Sequence, residues 1–453
     1  MQLPSALLQS LQGLPGFDEP AFIDVHQSAT QVTSVRINPG KISRPPFAVE
    51  HAPIPWSRYG YYLSTRPSFT FDPLFHAGCY YVQEASSMFL EQALQQTVDL
   101  GQPVTVLDLC AAPGGKTTHL QSLISEASLL VSNEVIRSRA AILKDNVIKW
   151  GAHNIAVTNN DPADFPALPG FFDVVVVDAP CSGSGLFRRD EEAIGEWSPN
   201  NVALCSQRQQ RILADVLPAL KEDGILIYST CSYSEQEDEG ILQWLNTLNM
   251  EGIELVTDPL WNIIPVKTGN NFGYRFWPHR LKGEGFFIGV FRKKASVEQP
   301  EKYRPKTKPL SSRDTGVLRP WINTEGQQFV VFGGRIYAWP VHLYAALDQL
   351  AAKMKVVYSG VLTGELIRDK LIPDHALALS NGLPDTIITT ELSEGNAIRY
   401  LQRKDIVLET AQKGWQLAAF DGHPLGWMNV LSNRINNYYP KELRILKERS
   451  PDI

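Results

Sequence analysis

Cysteine is scarce and irregularly placed: the chain has five in 453 residues (Cys79, Cys110, Cys181, Cys205 and Cys231) and no CxxC pair. An odd, scattered set excludes a disulfide framework and a zinc ribbon, no metal is expected, and the pattern suits a reducing, cytoplasmic setting. Long apolar runs are missing as well, none approaching the roughly 18 residues that a membrane span requires. The opening Met1-Gln2-Leu3-Pro4 lacks the basic residues of a secretory leader, so no membrane partner is expected. Repeats and low-complexity tracts are absent. Positive charge is in deficit, with a net charge of −6, which taken alone argues against a nucleic-acid partner. Its distribution argues otherwise. Residues 301–453 hold 20 Lys+Arg against 16 Asp+Glu, a net of +4, whereas the preceding 300 hold 22 against 32, a net of −10. An acidic body joined to a basic end places anion recognition at that end.

What is present is an ordinary globular composition, 43% hydrophobic and 20% charged, in a chain long enough for two or three domains. Residues 1–75 are proline-rich and read as a small α+β element. From about residue 100 to 295, short apolar runs alternate with helical stretches: Val104–Leu109, Thr117–Ile124, Leu129–Ser132, Ser138–Trp150, Ile155–Thr158, Phe172–Asp178, Val202–Leu220 and Gly224–Ser229. Unbroken Val/Ile/Leu runs between helices predict a parallel sheet covered on both faces, with ligands bound beyond the carboxyl ends of its strands. Arg292–Lys308, with seven basic residues against two acidic and two prolines, reads as a linker whose charge could follow a phosphate backbone. Residues 310–453 show β-like runs at Phe329–Phe332, Val356–Val361 and Gln416–Phe420 and little long helix, which predicts a mixed or β-rich module. The expected division is 1–75, 76–295, a basic linker 296–309, and 310–453.

The first strand of the middle region runs into Asp108-Leu109-Cys110-Ala111-Ala112-Pro113-Gly114-Gly115-Lys116-Thr117. Glycines here let the backbone approach a ligand at a helix start, where N–H groups are free. Gly115-Lys116-Thr117 suggests a phosphate-binding loop, but the first glycine of that motif would fall at Cys110. Instead, each of the next three strand ends carries an acid: Glu134, Asp161 and Asp178. Acids so aligned can take ribose hydroxyls, an adenine amino group and a cationic centre, which are the features of S-adenosylmethionine. Taken singly, Glu134 and Asp161 would serve equally as helix caps or turn residues.

Two cysteines follow successive strand ends, in Asp178-Ala179-Pro180-Cys181-Ser182-Gly183-Ser184-Gly185 and in Ser229-Thr230-Cys231-Ser232-Tyr233. Adjacent parallel strands would bring both sulfurs to one cleft. A lone buried cysteine is usually an inert small hydrophobe; two in glycine- and serine-flanked loops at the ligand edge are not. Carbon 5 of a pyrimidine is barely nucleophilic, so an enzyme that methylates it must first add a nucleophile at carbon 6. A thiolate serves well, and an acid near cytosine N3 assists. The two cysteines and Asp178 supply those parts.

At these residues the chain resembles the NOL/NOP/Sun family of RNA cytosine-5 methyltransferases, nearest to the bacterial RsmF-type small-subunit rRNA enzymes. The cofactor loop Cys110–Lys116 and the two cysteine motifs carry the resemblance, with Ser34-Val35-Arg36-Ile37-Asn38 and Gln83-Glu84-Ala85-Ser86-Ser87-Met88 upstream, which look like the family's N-terminal RNA-side and cofactor-side motifs. It implies a Rossmann-like methyltransferase sheet with a small N-terminal RNA-side α+β element and a C-terminal PUA-like RNA-binding domain. It further implies Cys231 as the nucleophile, Cys181 as an aid to product release through proton removal from carbon 5, and Asp178 on the cytosine. The last competes with Asp178 as a cofactor acid. Cys110, Ala111, Ala112, Pro113, Gly114, Gly115 and Lys116 would hold S-adenosylmethionine, with Glu134 on the ribose, Asp161 near the adenine and Arg139 on the same face; Lys116 would also contact the target. In the tail, Ser359–Glu365, Pro373–Ala378, Pro424–Trp427 and Asn433–Pro440 look like RsmF-type tails, although the relatives mostly carry a basic residue near Asn429 or Asn436.

The expected partner is 16S rRNA within the small ribosomal subunit, met by a monomer, with no DNA; a transfer RNA is the alternative target. A non-catalytic RNA-binding assembly factor, or a methyltransferase acting on nitrogen or oxygen, would not need two loop thiols. Trp427, Arg434, Tyr438, Tyr439, Lys441 and Arg444 would suit stacking on unpaired bases with phosphate contacts, or else are core aromatics among surface charges. Deleting residues 310–453 is expected to weaken RNA binding while leaving cofactor binding intact.

Overall fold

In the computed structural model, which describes residues 3–28, 30–297, 302–408 and 412–448, the apolar runs of the middle region lie side by side. They form five parallel strands: β1 (Thr105–Asp108), β2 (Leu129–Asn133), β3 (Ile155–Thr158), β4 (Phe172–Asp178) and β5 (Leu220–Thr230). Val106, Leu130, Val157, Val175 and Ile227 are wholly buried, as strands covered on both faces require. Pairing runs β3-β2-β1-β4-β5. The chain winds outward from β1 to β3 and then returns to the other side of β1. The point of reversal, between β1 and β4, opens the crevice where such sheets bind ligands.

Helix α1 (Gly115–Leu123) follows β1, α2 (Arg137–Trp150) follows β2 and α3 (Pro199–Val216) precedes β5. Each boundary has a local cause. Gly114 starts α1 at φ +114° and Gly151 ends α2 at φ +85°, left-handed conformations that favour glycine. Ser198 caps α3 by accepting from Asn201 N at 3.1 Å, with Pro199 at its first position. Beyond β5 the sheet continues antiparallel through β6 (Ile264–Thr268), β7 (Asn271–Phe276) and β8 (Phe286–Lys293), in the order β5-β8-β7-β6. Phe287 of β8 faces Thr230, so the start of β8 adjoins the Cys231 loop. No helix among the described residues is long and apolar enough to cross a membrane.

The N-terminal segment forms two short helices and a four-stranded antiparallel sheet, in the order His51–Pro53, Gly60–Leu63, Thr33–Ile37, Tyr80–Val82. Its last strand lies past residue 75, so the sheet crosses the expected boundary. Arg36 departs from the RNA-side role expected for its motif. It is fully buried, donating to Gln83 Oε1 at 2.9 Å, Ser122 Oγ at 3.0 Å and Thr118 Oγ1 at 2.6 Å, with Trp150 stacked at 4.7 Å. It joins this segment to α1 and α2 instead of offering charge to RNA.

The tail holds a five-stranded sheet spanning Lys308–Pro373 and a four-stranded one spanning Thr389–Asn437. Within the first span but in neither sheet is β9 (Val356–Ser359), which pairs antiparallel with β3 and closes that edge of the central sheet. The expected run Val356–Val361 thus divides between two sheets. Leu392, Tyr400, Leu425 and Met428 of the tail share one apolar core with Val35, Leu63 and Tyr80 of the N-terminal segment. Of the expected linker, residues 298–301 lie outside the described residues; Thr307 donates its N–H and hydroxyl to Asp348, at 3.0 and 2.6 Å, and Lys308–Pro309 is already strand.

Candidate active site

Hydrogen bonds from the body of the sheet shape the loop after β1. Ala112 O accepts from Arg139 Nη2 at 2.8 Å, Pro113 O from Asn146 Nδ2 at 2.7 Å, and Leu109 O from Asn133 Nδ2 at 3.1 Å. With its carbonyls held back by α2 and β2, the loop presents the start of α1, whose first N–H groups lack intrahelical partners. Cys110 is inert here, since burial and then the acids around it push its thiol far up.

The acids stand along the carboxyl edge as the sequence predicts, with different local duties. Glu134 is 3% exposed; it accepts from Ile136 N at 2.9 Å and pairs with Arg139 at 3.4 Å. Asp161 caps the short helix Pro162–Ala167, accepting from Ala163 N at 3.1 Å, so the turn-residue reading holds for it structurally. Asp178 sits nearer the crevice. Its carboxylate pairs with Lys116 Nζ at 2.8 Å and accepts from Ser229 Oγ at 2.9 Å. Burial opposes the charge on Lys116, yet Asp178, Asp108 and Cys231 together raise its pKa. The ammonium also lies 5.2 Å from the Phe286 ring centroid.

Asp108 was visible in the motif but not predicted as a site residue. It is fully buried; Oδ2 accepts from Thr117 Oγ1 at 2.6 Å, and Oδ1 has no partner. Burial pushes its carboxyl up to about 7, against the pull of Thr117, with Asp178 adding to the rise. A buried carboxyl lacking one partner at a strand end suits an arriving cationic group. Its position as the last residue of the first strand was the available signal.

Across the crevice the two thiols meet: Cys181 Sγ lies 2.9 Å from Cys231 Sγ. The loops beneath them are tight. Gly185 N donates to Cys231 O at 2.8 Å, and a Cβ on Gly185 would come within 2.6 Å of that oxygen and of Gly285 O. The hydrogen bond to Cys231, then burial, push the Cys181 thiol well up, and either sulfur can serve as donor in the contact between them. The arrangement therefore joins four things at one switch point: a backbone loop, acids for a cationic cofactor, a carboxylate–ammonium pair and two facing thiols. Asp108, Glu134 and the loop together fit S-adenosylmethionine, a cation with hydroxyl and amino handles.

In the tail, two of the expected stacking aromatics are core. Trp427 is 1% and Tyr439 2% exposed, and the Trp427 indole donates to Asp374 O at 2.8 Å. Tyr438 remains open at 38% and lines a cavity of about 520 Å³ with Arg403, Lys404 and Asn436. Asn429 and Asn436 face each other across two strands, so either place for the expected basic residue falls on one spot.

The family models match in the order of the modules: "N-terminal domain of 16S rRNA methyltransferase RsmF" over residues 3–85, "16S rRNA methyltransferase RsmB/F" over 95–292, and "Methyltransferase RsmF PUA domain" over 388–445. Ribosomal RNA small subunit methyltransferase F of Aeromonas salmonicida is 31% identical over 90% of each chain. The protein of that name from Salmonella paratyphi B is 31% identical over 97% of this chain and 96% of its own. A methyltransferase homologue from Pyrococcus horikoshii superposes with a TM-score of 0.52 at 27% identity, over 64% of this chain and all of its own length. NSun6 from the same organism shares the fold at 19% identity and a TM-score of 0.54, over 65% of this chain and 99% of its own. With a Rossmann-like core, an N-terminal element and a PUA-like end in the same order, the chain belongs to the RsmB/F family of S-adenosylmethionine-dependent RNA cytosine-5 methyltransferases.

Proposed function

We propose that this enzyme methylates carbon 5 of a cytosine in small-subunit (16S) rRNA through a covalent bond between Cys231 and carbon 6. The observation that carries this reading is the pair of facing thiols, 2.9 Å apart, beside the Asp178–Lys116 pair. Methylation at nitrogen or oxygen needs no covalent nucleophile and leaves two such thiols without a task. The names of the relatives favour rRNA as the polymer.

In this reading the cysteine sulfur forms a bond to carbon 6, and the electron pair displaced from the C5–C6 double bond makes carbon 5 nucleophilic. Asp178, oriented by Lys116, faces the cytosine near N3 and helps bring a proton there, offsetting the charge that the attack creates. When bound, S-adenosylmethionine supplies an electrophilic methyl group. Asp108 would hold its cationic part, Glu134 the ribose and Asp161 the adenine, with Arg139 bracing Glu134 and the loop Cys110–Lys116 flanking the cofactor. After methyl transfer, carbon 5 loses its proton and the C6–S bond breaks, its electrons returning to Cys231. Cys181 can take that proton only after releasing its own, so product release should quicken as pH rises. Bringing the base out of its stack and beside the sulfur supplies the proximity on which the rate depends.

The test is Cys181→Ala incubated with S-adenosylmethionine and small ribosomal subunits, or with total RNA, and run on a denaturing gel. A protein–RNA adduct that disappears when Cys231 is also replaced supports the mechanism, and sequencing the attached RNA identifies the cytosine. Absence of any adduct from a protein that binds the cofactor overturns it.

A further inference from the structure

Glu237 lies six residues beyond Cys231, and its side chain is wholly buried. Its two oxygens accept four hydrogen bonds. Oε1 accepts from Ser182 N at 2.8 Å and Gln209 Nε2 at 3.1 Å; Oε2 accepts from Ser182 Oγ at 2.5 Å and Ser232 Oγ at 2.6 Å. Its own carbonyl accepts from the Tyr228 hydroxyl of β5 at 2.6 Å. Ser182 and Ser232 each immediately follow one of the two site cysteines. One carboxylate therefore ties together the loops that carry both thiols.

Burying a carboxylate costs several kcal/mol unless its lone pairs are satisfied. An acceptor-only group is what four converging donors require, and the arrangement commits both serine hydroxyls to donation. Tethered this way, neither loop can move without breaking bonds to the other. Resting on the thiol chemistry proposed above, we propose that Glu237 is a positioning residue that holds the two cysteines face to face and, through its negative charge, keeps a proton on the pair.

The groups facing the thiols set the charge balance. Lys116 of α1 and Asp178 at the end of β4 lie on the cofactor side; Cys205 and Gln209 of α3, Tyr228 of β5, and Tyr233 and Glu237 in the following loop surround the rest. The Cys181 thiol is pushed up first by its bond to Cys231, then by burial, by the Cys231 charge and by Glu237, against the Gly183 N–H. Burial raises the Glu237 carboxyl itself, while its hydrogen bonds from Ser182, Ser232 and Gln209 lower it. Glutamine at this position can preserve the tether without the charge. Its carbonyl would accept from Ser182 N and Gln209, and its amide nitrogen would donate to the serine hydroxyl oxygens.

The experiment measures alkylation of Cys181 and Cys231 by iodoacetamide against pH, read by mass spectrometry on the full-length protein, alongside turnover on small ribosomal subunits. In Glu237→Gln, the alkylation profile of the pair should move to lower pH, and the pH at which product release quickens should move with it. Cofactor affinity and the KM for RNA should stay near wild type. In Glu237→Ala, which also loses the tether, kcat should fall about 10²-fold, and glutamine should recover most of that loss. A Glu237→Gln alkylation profile superimposable on wild type overturns the proposal, whether or not Glu237→Ala folds. So does a Glu237→Ala protein with wild-type kcat. Alkylation needs no RNA, so failure of wild type to methylate cytosine would count against the proposed reaction and remain distinct from either result.

Discussion

The carboxyl edge of the central sheet and the C-terminal tail solve placement in opposite ways. At the sheet edge, each functional side chain lies within a few residues of the strand end that positions it. The cofactor loop follows β1, Glu134 follows β2, Asp178 ends β4 and Cys231 follows β5. In the tail, position comes from distant chain. β9 completes the central sheet by pairing with β3, Asn381 N donates to Gly151 O at 3.1 Å, and Leu392 and Met428 pack in one core with Val35 and Leu63. Chemistry that follows strand ends is local and readable; packing shared by segments hundreds of residues apart is not.

The sharpest test of that contrast is to remove the tail. Composition suggests a module that can be deleted at residue 310 without harm to the cofactor site. The structure leads to a different expectation. A chain ending at residue 309 leaves the β3 edge unpaired, and exposed edges of apolar strands promote aggregation. It also uncovers the N-terminal face around Val35 and Leu63. We expect this truncation to lose its cooperative melting transition and its cofactor binding together, as read by calorimetry and isothermal titration. Retained binding would show that the tail is separable after all.

The same contrast explains what could be read beforehand. The parallel strands were legible because doubly covered strands are unbroken apolar runs, and Ile155–Thr158 and Phe172–Asp178 form strands over the predicted residues. The facing thiols were legible because the two motifs end adjacent strands. Arg36 was misread because its partners, Thr118 and Ser122, lie more than 80 residues away, and a basic residue destined for burial looks in sequence like one destined for RNA. Trp427 and Tyr439 were left open between stacking and core for a related reason, and the structure gives both to the core. Aromatic residues beside charges describe a stacking surface and the rim of a core equally well, and only the packed neighbours decide. Asp108, visible at its strand end, and Glu237 were not assigned because the burial that gives each its character is set by distant chain.

Asp108 sharpens the comparison from the side of the site, with an intermediate effect. Its carboxyl is held near 7 in the folded protein against 3.8 ordinarily, chiefly by burial. The folded state thus binds this proton more tightly than the unfolded state, and the stability it contributes is lost as pH rises from about 4 through 7. Between pH 6 and pH 8 this group alone should lower stability by ~1.4 kcal/mol. Asp108→Asn should abolish that slope and melt higher than wild type at pH 8 without cofactor. It should also bind S-adenosylmethionine about tenfold or more weakly, having lost a charge that faces a cation. Parallel melting temperatures for the two proteins across this range would show that the carboxyl is not raised, and unchanged S-adenosylmethionine affinity in Asp108→Asn would remove Asp108 from the cofactor site.

The smallest expected change in stability, that of Tyr438→Ala, separates the two kinds of tail aromatic. Trp427 is buried and bonded to Asp374 O, so Trp427→Ala should cost ~3–5 kcal/mol of stability. Tyr438 is 38% exposed, lies 4.4 Å from Trp415 between ring centroids, and borders the cavity with Arg403 and Lys404. Tyr438→Ala should change the melting temperature little. If a base stacks there, RNA affinity should fall by ~1–3 kcal/mol, and because the substitution removes no charge, the slope of affinity against salt should stay as it was. Arg403→Ala should flatten that slope instead. Unchanged RNA affinity in Tyr438→Ala would mean that this cavity is not where the tail meets RNA, and would return the contact to the charges of the remaining surface.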